Sequence, residues 1–211
     1  MELFNFHTHN KNEKNGIINL FPEDIPQISK KYSIGLHPWY YSENYQIKIN
    51  LIKDKIENKN IVALGETGFD TRSPVNINTQ KKIFIEHINL SEKYNKPLII
   101  HCVKYQNELI EIKKLLNPTQ AWIIHGFTGK IAIAEELYNH NFYFSVSGQL
   151  LKDEYKASAF FDLIDINRLF FETDDKDFDL QEIYNFAAVK TKMPIEELFK
   201  TVYNNLKSIG L

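Results

Sequence analysis

The sequence has a single cysteine, Cys102, so no intrachain disulfide can form. It also lacks any apolar run approaching the roughly 20 residues of a membrane-spanning helix. The first twenty residues carry charges at Glu2, Lys11, Glu13 and Lys14 and have no long apolar stretch, unlike a secretory signal. We therefore expect a protein of a reducing compartment with no membrane partner, and we predict a cytoplasmic location.

Internal repeats, low-complexity segments and recognisable linkers are also absent. The 211 residues are 43% hydrophobic and 25% charged, which is typical of one globular domain, so we predict a single domain over residues 1–211. The net charge is −2, and no dense stripe of lysine and arginine occurs. General electrostatic attraction to nucleic acid is therefore not built into the whole molecule.

Short apolar runs of strand length recur along the chain, and most are nearly continuous rather than alternating. Such runs are typical of parallel strands that are covered on both faces. The predicted strands are residues 3–6, 16–21, 32–36, 61–64, 97–100, 121–124, 142–146 and 168–171. Helical periodicity separates the later runs, at residues 76–94, 107–116, 130–139 and 153–164. Residues 181–211 resemble two helices divided near Met193 and Pro194.

Eight strands that alternate with helices predict an α/β fold, the (βα)8 TIM barrel. The intervals that separate His37, Glu66, His101 and His125 are each about one βα unit of roughly 30 residues. The first three strands are too close together in the sequence for full helices to lie between them. We therefore predict a barrel that is trimmed in its first βα units.

A pair of histidines, His7 and His9, follows the first predicted strand. Side chains two residues apart on a strand point to the same face, so both imidazoles would project together and could bind a divalent metal. The pair alone is weak evidence, because solvated histidine pairs are common. The argument gains strength because later strands also end near potential ligands, which are Glu66, His101, His125 and Asp174.

These six side chains, His7, His9, Glu66, His101, His125 and Asp174, are the predicted metal ligands. In a barrel of this class the carboxyl ends of the strands meet at one rim, where catalytic groups are found. Histidine and carboxylate ligands suit zinc, manganese or, with more oxygen and water, magnesium. Six ligands are too many for one tetrahedral ion, so we predict two divalent ions, with Glu66 bridging them.

Two carboxylates have predicted catalytic roles. Glu66 would hold the two cations together, and Asp174 would accept a proton from the attacking water. By strand alternation Glu172 shares a face with Asp174, but only Asp174 lies near enough to the rim to reach that water.

Three further residues are candidates for substrate binding, each with a structural alternative. His37 could hold a phosphate, or it could be a structural loop residue before Pro38. Trp39 could stack a base or close the shortened end of the barrel. Lys104 follows the fifth strand and could bind substrate or be a solvated lysine. Cys102 is expected to be inert core, because by alternation it points away from His101.

The order and spacing of several short segments resemble the TatD-like metal-dependent deoxyribonucleases of the amidohydrolase superfamily. The matching segments, listed in chain order, are His7-Thr8-His9, Gly35-Leu36-His37-Pro38, Gly65-Glu66-Thr67-Gly68-Phe69-Asp70, Pro97-Leu98-Ile99-Ile100-His101, His125-Gly126-Phe127-Thr128-Gly129 and Glu172-Thr173-Asp174. The resemblance covers residues 7 to 174, and the segment that contains Glu66 is its most specific part.

The resemblance implies a trimmed barrel that hydrolyses phosphodiester bonds, typically in DNA. It implies one metal on His7, His9, Glu66 and Asp174, and a second metal on Glu66, His101 and His125. The sequence departs from the family pattern at Val103 and Lys104, where an arginine usually follows the histidine, and at Asp175, where a small residue and proline usually follow. DNA ends or short oligonucleotides are the expected substrates. The alternatives are another ester, amide or lactone as substrate, or a metal-binding protein without activity.

Overall fold

The computed structural model describes residues 2–211, and all eight predicted strands occur in it. The strands are β1 Asn5–Thr8, β2 Gly16–Leu20, β3 Lys31–Ile34, β4 Ile61–Asp70, β5 Leu98–Val103, β6 Trp122–Ile124, β7 Tyr143–Ser147 and β8 Leu169–Glu172. They follow one another in sequence order in one sheet. The pairs β3–β4, β4–β5 and β7–β8 are parallel, as is the isolated bridge that joins Thr8 to Asp174 beyond β8. This strand order, with its helical crossovers, confirms the (βα)8 TIM-barrel fold class.

The α-helices follow the later strands. They are α1 Tyr45–Lys55, α2 Ile77–Tyr94, α3 Gln106–Leu116, α4 Ile131–Asn139, α5 Gly148–Leu151, α6 Glu154–Leu163, α7 Leu180–Thr191 and α8 Ile195–Ser208. Between β1 and β2, and between β2 and β3, the structure contains no helix, so the predicted trimming is confirmed for residues 2–211. The sequence analysis missed α1, because only Ile49 and Ile52 of that helix are buried and its apolar pattern is weak.

The longest helix illustrates how the sequence sets the element boundaries. The side chain of Asn76 accepts a hydrogen bond from the Thr79 amide (3.0 Å) and caps the start of α2. The helix buries Ile83, Phe84 and Ile88 along one stripe. It ends where Asn95 adopts a left-handed conformation, shortly before Pro97. No helix in the part of the chain that the structure describes is both long enough and apolar enough to cross a membrane.

Three strand boundaries differ from the prediction in ways that matter for the site. Strand β4 continues through Asp70, and β5 continues through Val103, because the two pair with each other along this whole stretch. Glu66 and His101 therefore lie within strands and not at their ends, which corrects the prediction. Strand β8 stops at Glu172, so Asp174 lies beyond it.

The backbone contacts divide the chain into two compact units, each with its own apolar core. One unit runs to Ile17 and resumes over Ile124–Leu211, and the other is Ile18–Ile123. In the first unit Phe6 stacks on Phe170 with ring centroids 4.2 Å apart. In the second unit Phe84 packs edge-on against Phe69 and Trp122, at 5.0 and 5.3 Å. That residues 1–211 form a single domain stays a prediction.

Candidate metal centre

In the first unit, hydrogen bonds between backbone segments bring Asp174 beside His7 in β1 and His9 just after it. The amide of Asp174 donates to the carbonyl of His7 (3.0 Å), and the amide of His9 donates to the carbonyl of Asp174 (3.1 Å). As a result, Oδ1 of Asp174 lies 3.6 Å from Nε2 of both His7 and His9. His7 is fully buried, whereas Asp174 is 28% exposed and can be reached from solvent.

The backbone of Asp174 has an unusual conformation just beyond β8. Its φ of 57° lies in the left-handed region, which aspartate tolerates better than most residues. The chain therefore turns after β8, and Glu172 and Asp174 differ in exposure, although both lie near His125. Glu172 is fully buried, and Asp174 lies against His7 and His9. The expectation that only Asp174 could reach water agrees with this difference in exposure.

His125, just after β6, joins the same group of side chains. One ring nitrogen of His125, one of His7 and a carboxylate oxygen of Asp174 all lie within 4.8 Å of one another. His125 also contacts Glu172, whose Oε1 is 3.4 Å from Nδ1. A buried carboxylate at Nδ1 favours the tautomer that leaves Nε2 with a lone pair, as is common for histidines that bind metals.

A cleft of about 480 Å³ opens beside this group in the first unit. Its lining includes His9 and Asp174 as well as the loop that follows Asp174. Carboxylates dominate the charge of the lining, and its single lysine, Lys176, is paired with Asp175 at 2.9 Å. That pair offsets the charge of Asp175, but Glu13 and Asp177 keep the cleft acidic.

In the second unit, His101 lies between two carboxylates. Its Nδ1 is 2.9 Å from Oε1 of Glu66, and its Nε2 is 2.9 Å from Oδ2 of Asp70. Burial by itself would raise the pKa of the Asp70 carboxyl. Hydrogen bonds, first of all from the side chain and amide of Arg72, outweigh burial and hold that pKa well below its usual range.

The ionised Asp70 determines which nitrogen of His101 is available. An ionised carboxylate can only accept hydrogen bonds, so Nε2 of His101 must carry a proton and donate it to Asp70. In the neutral ring, Nδ1 then directs a lone pair at the Glu66 oxygen 2.9 Å away. Two lone pairs at this distance repel unless a proton or a metal cation lies between them. Glu66 and His101 are therefore suited to hold a cation.

His37 lies near the same carboxylate but is a poor metal ligand. Its Nδ1 accepts a hydrogen bond from the Trp39 amide (3.1 Å), so the proton of the neutral ring must be on Nε2. Nε2 is 3.3 Å from Oε1 of Glu66 and can donate to it. Although His37, Glu66 and His101 together have the spacing of a metal site, this tautomer makes His37 a hydrogen-bond donor. That property fits the predicted role in phosphate binding.

The other two candidates for substrate binding have different surroundings. Trp39 is 46% exposed, its indole Nε1 donates to Oδ2 of Asp70 (2.8 Å), and the guanidinium of Arg72 lies over its ring. Lys104 is exposed, directly after β5, with a φ of 67°. Their roles in substrate binding stay predictions. Cys102 is half-buried, and burial raises the pKa of its thiol to about 12, so its side chain is unreactive.

The donor set suits a divalent metal of the predicted kind. The first unit brings together His7, His9, His125 and Asp174, and the second brings together Glu66 and His101. These six residues are the predicted ligands, and imidazole with carboxylate is a common ligand set for zinc and manganese. The distribution of the ligands between two ions, and the bridging role of Glu66, stay predictions.

The sequence analysis missed Asp70, Arg72 and the contact of Glu172 with His125. A signal for Asp70 was present, since Glu66 and Asp70 are four residues apart on one strand and so share a face. Arg72 binds Asp70 only two residues earlier, which no periodicity indicates, whereas the contact of Glu172 with His125 depends on which strands are neighbours.

Comparison with known proteins identifies the family that this chain resembles. The family model described as TatD related DNase matches residues 23–209. An uncharacterised metal-dependent hydrolase of Buchnera aphidicola subsp. Baizongia pistaciae is 37% identical over 145 residues, which is 67% of this chain and 54% of the relative. Another, from Buchnera aphidicola subsp. Acyrthosiphon pisum, is 32% identical over 165 residues, which is 72% of this chain and 62% of that relative. The chain thus spans little more than half the length of these two relatives.

Solved structures share the fold. The crystal structure of YJJV, a TatD homologue of Escherichia coli K12, has a TM-score of 0.81 at 17% identity and covers 98% of this chain and 97% of its own. A TatD family hydrolase of Entamoeba histolytica has a TM-score of 0.77 at 18% identity, with the same coverage. At this level of identity the likeness supports the fold alone. Because the family model matches most of the chain, the protein belongs to the family of TatD-related DNases.

Proposed function

We propose that this protein is a hydrolase of phosphodiester bonds that depends on divalent metal ions and acts on DNA ends or short oligonucleotides. The observation that carries the proposal is the position of Asp174, whose Oδ1 is 3.6 Å from Nε2 of both His7 and His9. A carboxylate that is partly exposed and lies against two buried or half-buried imidazoles can both help to hold a cation and accept a proton from water.

The residues of each unit have distinct tasks in this proposal. The six predicted ligands would hold the two divalent ions, with His7, His9, His125 and Asp174 contributed by the first unit and Glu66 and His101 by the second. When bound, such ions polarise the phosphodiester and lower the pKa of water. Asp174 Oδ1 accepts the proton of the attacking water. With Glu66 engaged by an ion, the Nε2 proton of His37, whose tautomer is fixed by the Trp39 amide, would be donated to a non-bridging phosphate oxygen.

Small substrates fit the charge of the molecule better than long duplexes do. With a net charge of −2 the protein can neutralise few phosphates, so its affinity for long DNA should be low and should depend only weakly on salt. Tight, sequence-specific binding of duplex DNA at physiological salt would contradict this part of the proposal.

The acidic cleft favours a second candidate function. Glu13, Asp175 and Asp177 line the cleft beside His9 with a single lysine, so a polyanion would be repelled there. Under this alternative the same residues hydrolyse a neutral ester, amide or lactone. Water would again be the attacking group, but the substrate carries no phosphate.

Substrate profiling tests the two functions against each other. The purified protein is assayed with Mg²⁺, Mn²⁺ or Zn²⁺ on bis-p-nitrophenyl phosphate, on thymidine dinucleotide, and on a panel of carboxylic esters, amides and lactones. We expect hydrolysis of the two phosphodiesters that requires metal. The Asp174→Asn variant, purified in the same way, controls for contaminating nuclease. Hydrolysis of an ester or lactone with none of either phosphodiester under any metal would overturn the phosphodiesterase proposal in favour of the alternative.

A further inference from the structure

Arg72, two residues after β4, is one of only two arginines in the sequence, the other being Arg168. Its guanidinium is fixed by several contacts. Nε and Nη2 donate to the two oxygens of Asp70, at 3.1 and 2.9 Å, and the guanidinium carbon lies 4.7 Å from the centre of the Trp39 ring. An arginine held in this way has already lost much of its rotamer freedom, so a ligand that binds to it need not order it.

The carboxylate that holds Arg72 is hidden from an approaching ligand. Asp70 has no exposed surface, and both of its oxygens are occupied by donors. The Arg72 side chain is 61% exposed, and its Nη1 makes no hydrogen bond within residues 2–211. An anion that arrives from solvent therefore meets the guanidinium and not the carboxylate. The arrangement presents a positive charge at the surface although the pair is neutral as a whole.

The position of Arg72 relative to His101 limits what it can bind. Nη2 of Arg72 and Nε2 of His101 donate to the same Asp70 oxygen, so they lie less than about 6 Å apart. Glu66 is at the opposite edge of the His101 ring, next to Nδ1. A phosphodiester that reacts at Glu66 and His101 Nδ1 is thus separated from Arg72 by the imidazole and the Asp70 carboxylate. Arg72 is better placed for a neighbouring group of the substrate than for the reacting one.

We propose that Arg72 binds a second phosphate of the substrate, one that flanks the phosphodiester to be cleaved. This inference rests on the proposed phosphodiesterase function and narrows its substrate class to nucleotides with a flanking phosphate. The strand partner of Asp70 on β5 is Val103, which carries no charge. Lys104, the exposed residue after it, is the rival cation.

The test compares two ligands that differ only in flanking phosphates. Thymidine dinucleotide and the same dinucleotide phosphorylated at both ends are titrated calorimetrically into metal-loaded protein that carries Asp174→Asn, so that the linkage survives. We expect the doubly phosphorylated ligand to bind at least about tenfold more tightly. Arg72→Met should abolish most of this preference and leave binding of the unphosphorylated dinucleotide nearly unchanged. Arg72→Lys should keep part of the preference, since lysine keeps the positive charge but lacks the paired donors of the guanidinium.

Two further variants control the result. Arg168→Met removes the only other arginine, which also lies over an aromatic ring, at 4.9 Å from Tyr143, and should keep the full preference. Lys104→Met tests the rival cation. The inference is overturned if Arg72→Met keeps the preference, if Lys104→Met alone removes it, or if no preference exists in the parent. It is also overturned if Arg72→Met weakens both ligands equally, because Arg72 would then act only by positioning Asp70.

The proposed function is tested separately, by measuring hydrolysis of bis-p-nitrophenyl phosphate by the parent. A preference for flanking phosphates that depends on Arg72, in a parent that cleaves no phosphodiester, would support the anion site and reject the function. Cleavage without the preference would reject the anion site alone.

Discussion

Asp70 and His101 are joined across two neighbouring parallel strands, with Oδ2 of Asp70 2.9 Å from Nε2 of His101. The contact fixes the ring so that Nδ1 faces Glu66. Carboxylates that orient a metal-binding histidine in this way commonly affect metal affinity by about 10- to 100-fold. Asp70 is thus a positioning residue for the second unit's part of the candidate metal centre.

Asp70→Asn should therefore weaken metal binding about 10- to 100-fold, because the amide can present a donor to Nε2 and favour the wrong tautomer. The measurement is the dissociation constant for Mn²⁺ by competition with a chelator. Arg168→Met is the control, since Arg168 lies over Tyr143 in the first unit, and it should leave this constant close to that of the parent. An unchanged constant in Asp70→Asn would show that the contact with His101 does not orient the ring for metal binding.

Asp174→Asn should reduce turnover of bis-p-nitrophenyl phosphate by about 10²- to 10⁴-fold, because the amide keeps an oxygen but is a far poorer base. Metal content and rate are measured on the same preparation, and we expect most of the metal at His7 and His9 to remain. Asp162→Asn, an exposed change on α6, controls for general effects of lost charge. A variant with metals in place and the rate of the parent would exclude Asp174 as the base.

Glu66→Gln should release at least one divalent ion and remove most of the activity, because it takes away the negative charge beside His101 Nδ1. The melting temperature of the metal-free protein should change little, since glutamine keeps the volume of the side chain. Metal analysis and thermal unfolding are the two measurements. Full metal content together with full turnover would contradict both the ligand role and the predicted bridge.

Stability should fall in mild acid because of His87, which lies in α2 and is fully buried. Burial lowers the pKa of its imidazole from the ordinary 6.5 to about 4. Its Nε2 accepts the Leu36 amide at 3.2 Å, which requires the neutral ring. Between these two pKa values the unfolded chain binds the proton and the folded chain does not. The contribution of His87 to the free energy of unfolding is therefore fully present above about pH 6.5. It declines as the pH falls towards 4, by up to about 3 kcal/mol.

The measurement for His87 is urea unfolding of the parent and of His87→Gln at pH 7.5 and pH 5. Glutamine can still accept the Leu36 amide but does not titrate. We expect the variant to be less stable than the parent at pH 7.5, because its shape differs from that of the imidazole, and to lose less stability between the two pH values. Equal losses in both proteins would assign the acid sensitivity to groups other than His87.

Much of the fold could be predicted from the sequence, because its signals are local. Continuous apolar runs of strand length indicated all eight strands, and caps such as Asn76 and breaks such as Pro97 marked the ends of helices. Helix α1 was missed because few of its residues are buried. The ends of β4 and β5 were wrong because a strand ends where its pairing with a neighbour ends, and pairing is not a local property.

The sequence by itself determined which residues could bind metal, since the ligand types and the spacing of His7 and His9 follow from the order of the chain. Only the tertiary structure decided how these residues are arranged. The contact of Glu172 with His125 and the hydrogen bond between Asp70 and His101 depend on the register of neighbouring strands. A hydrogen bond has a reach of about 3 Å, and a shift of one residue moves a side chain to the other face of the sheet. The sequence therefore determines the chemical type of each ligand, whereas the pairing of the strands determines their protonation and orientation.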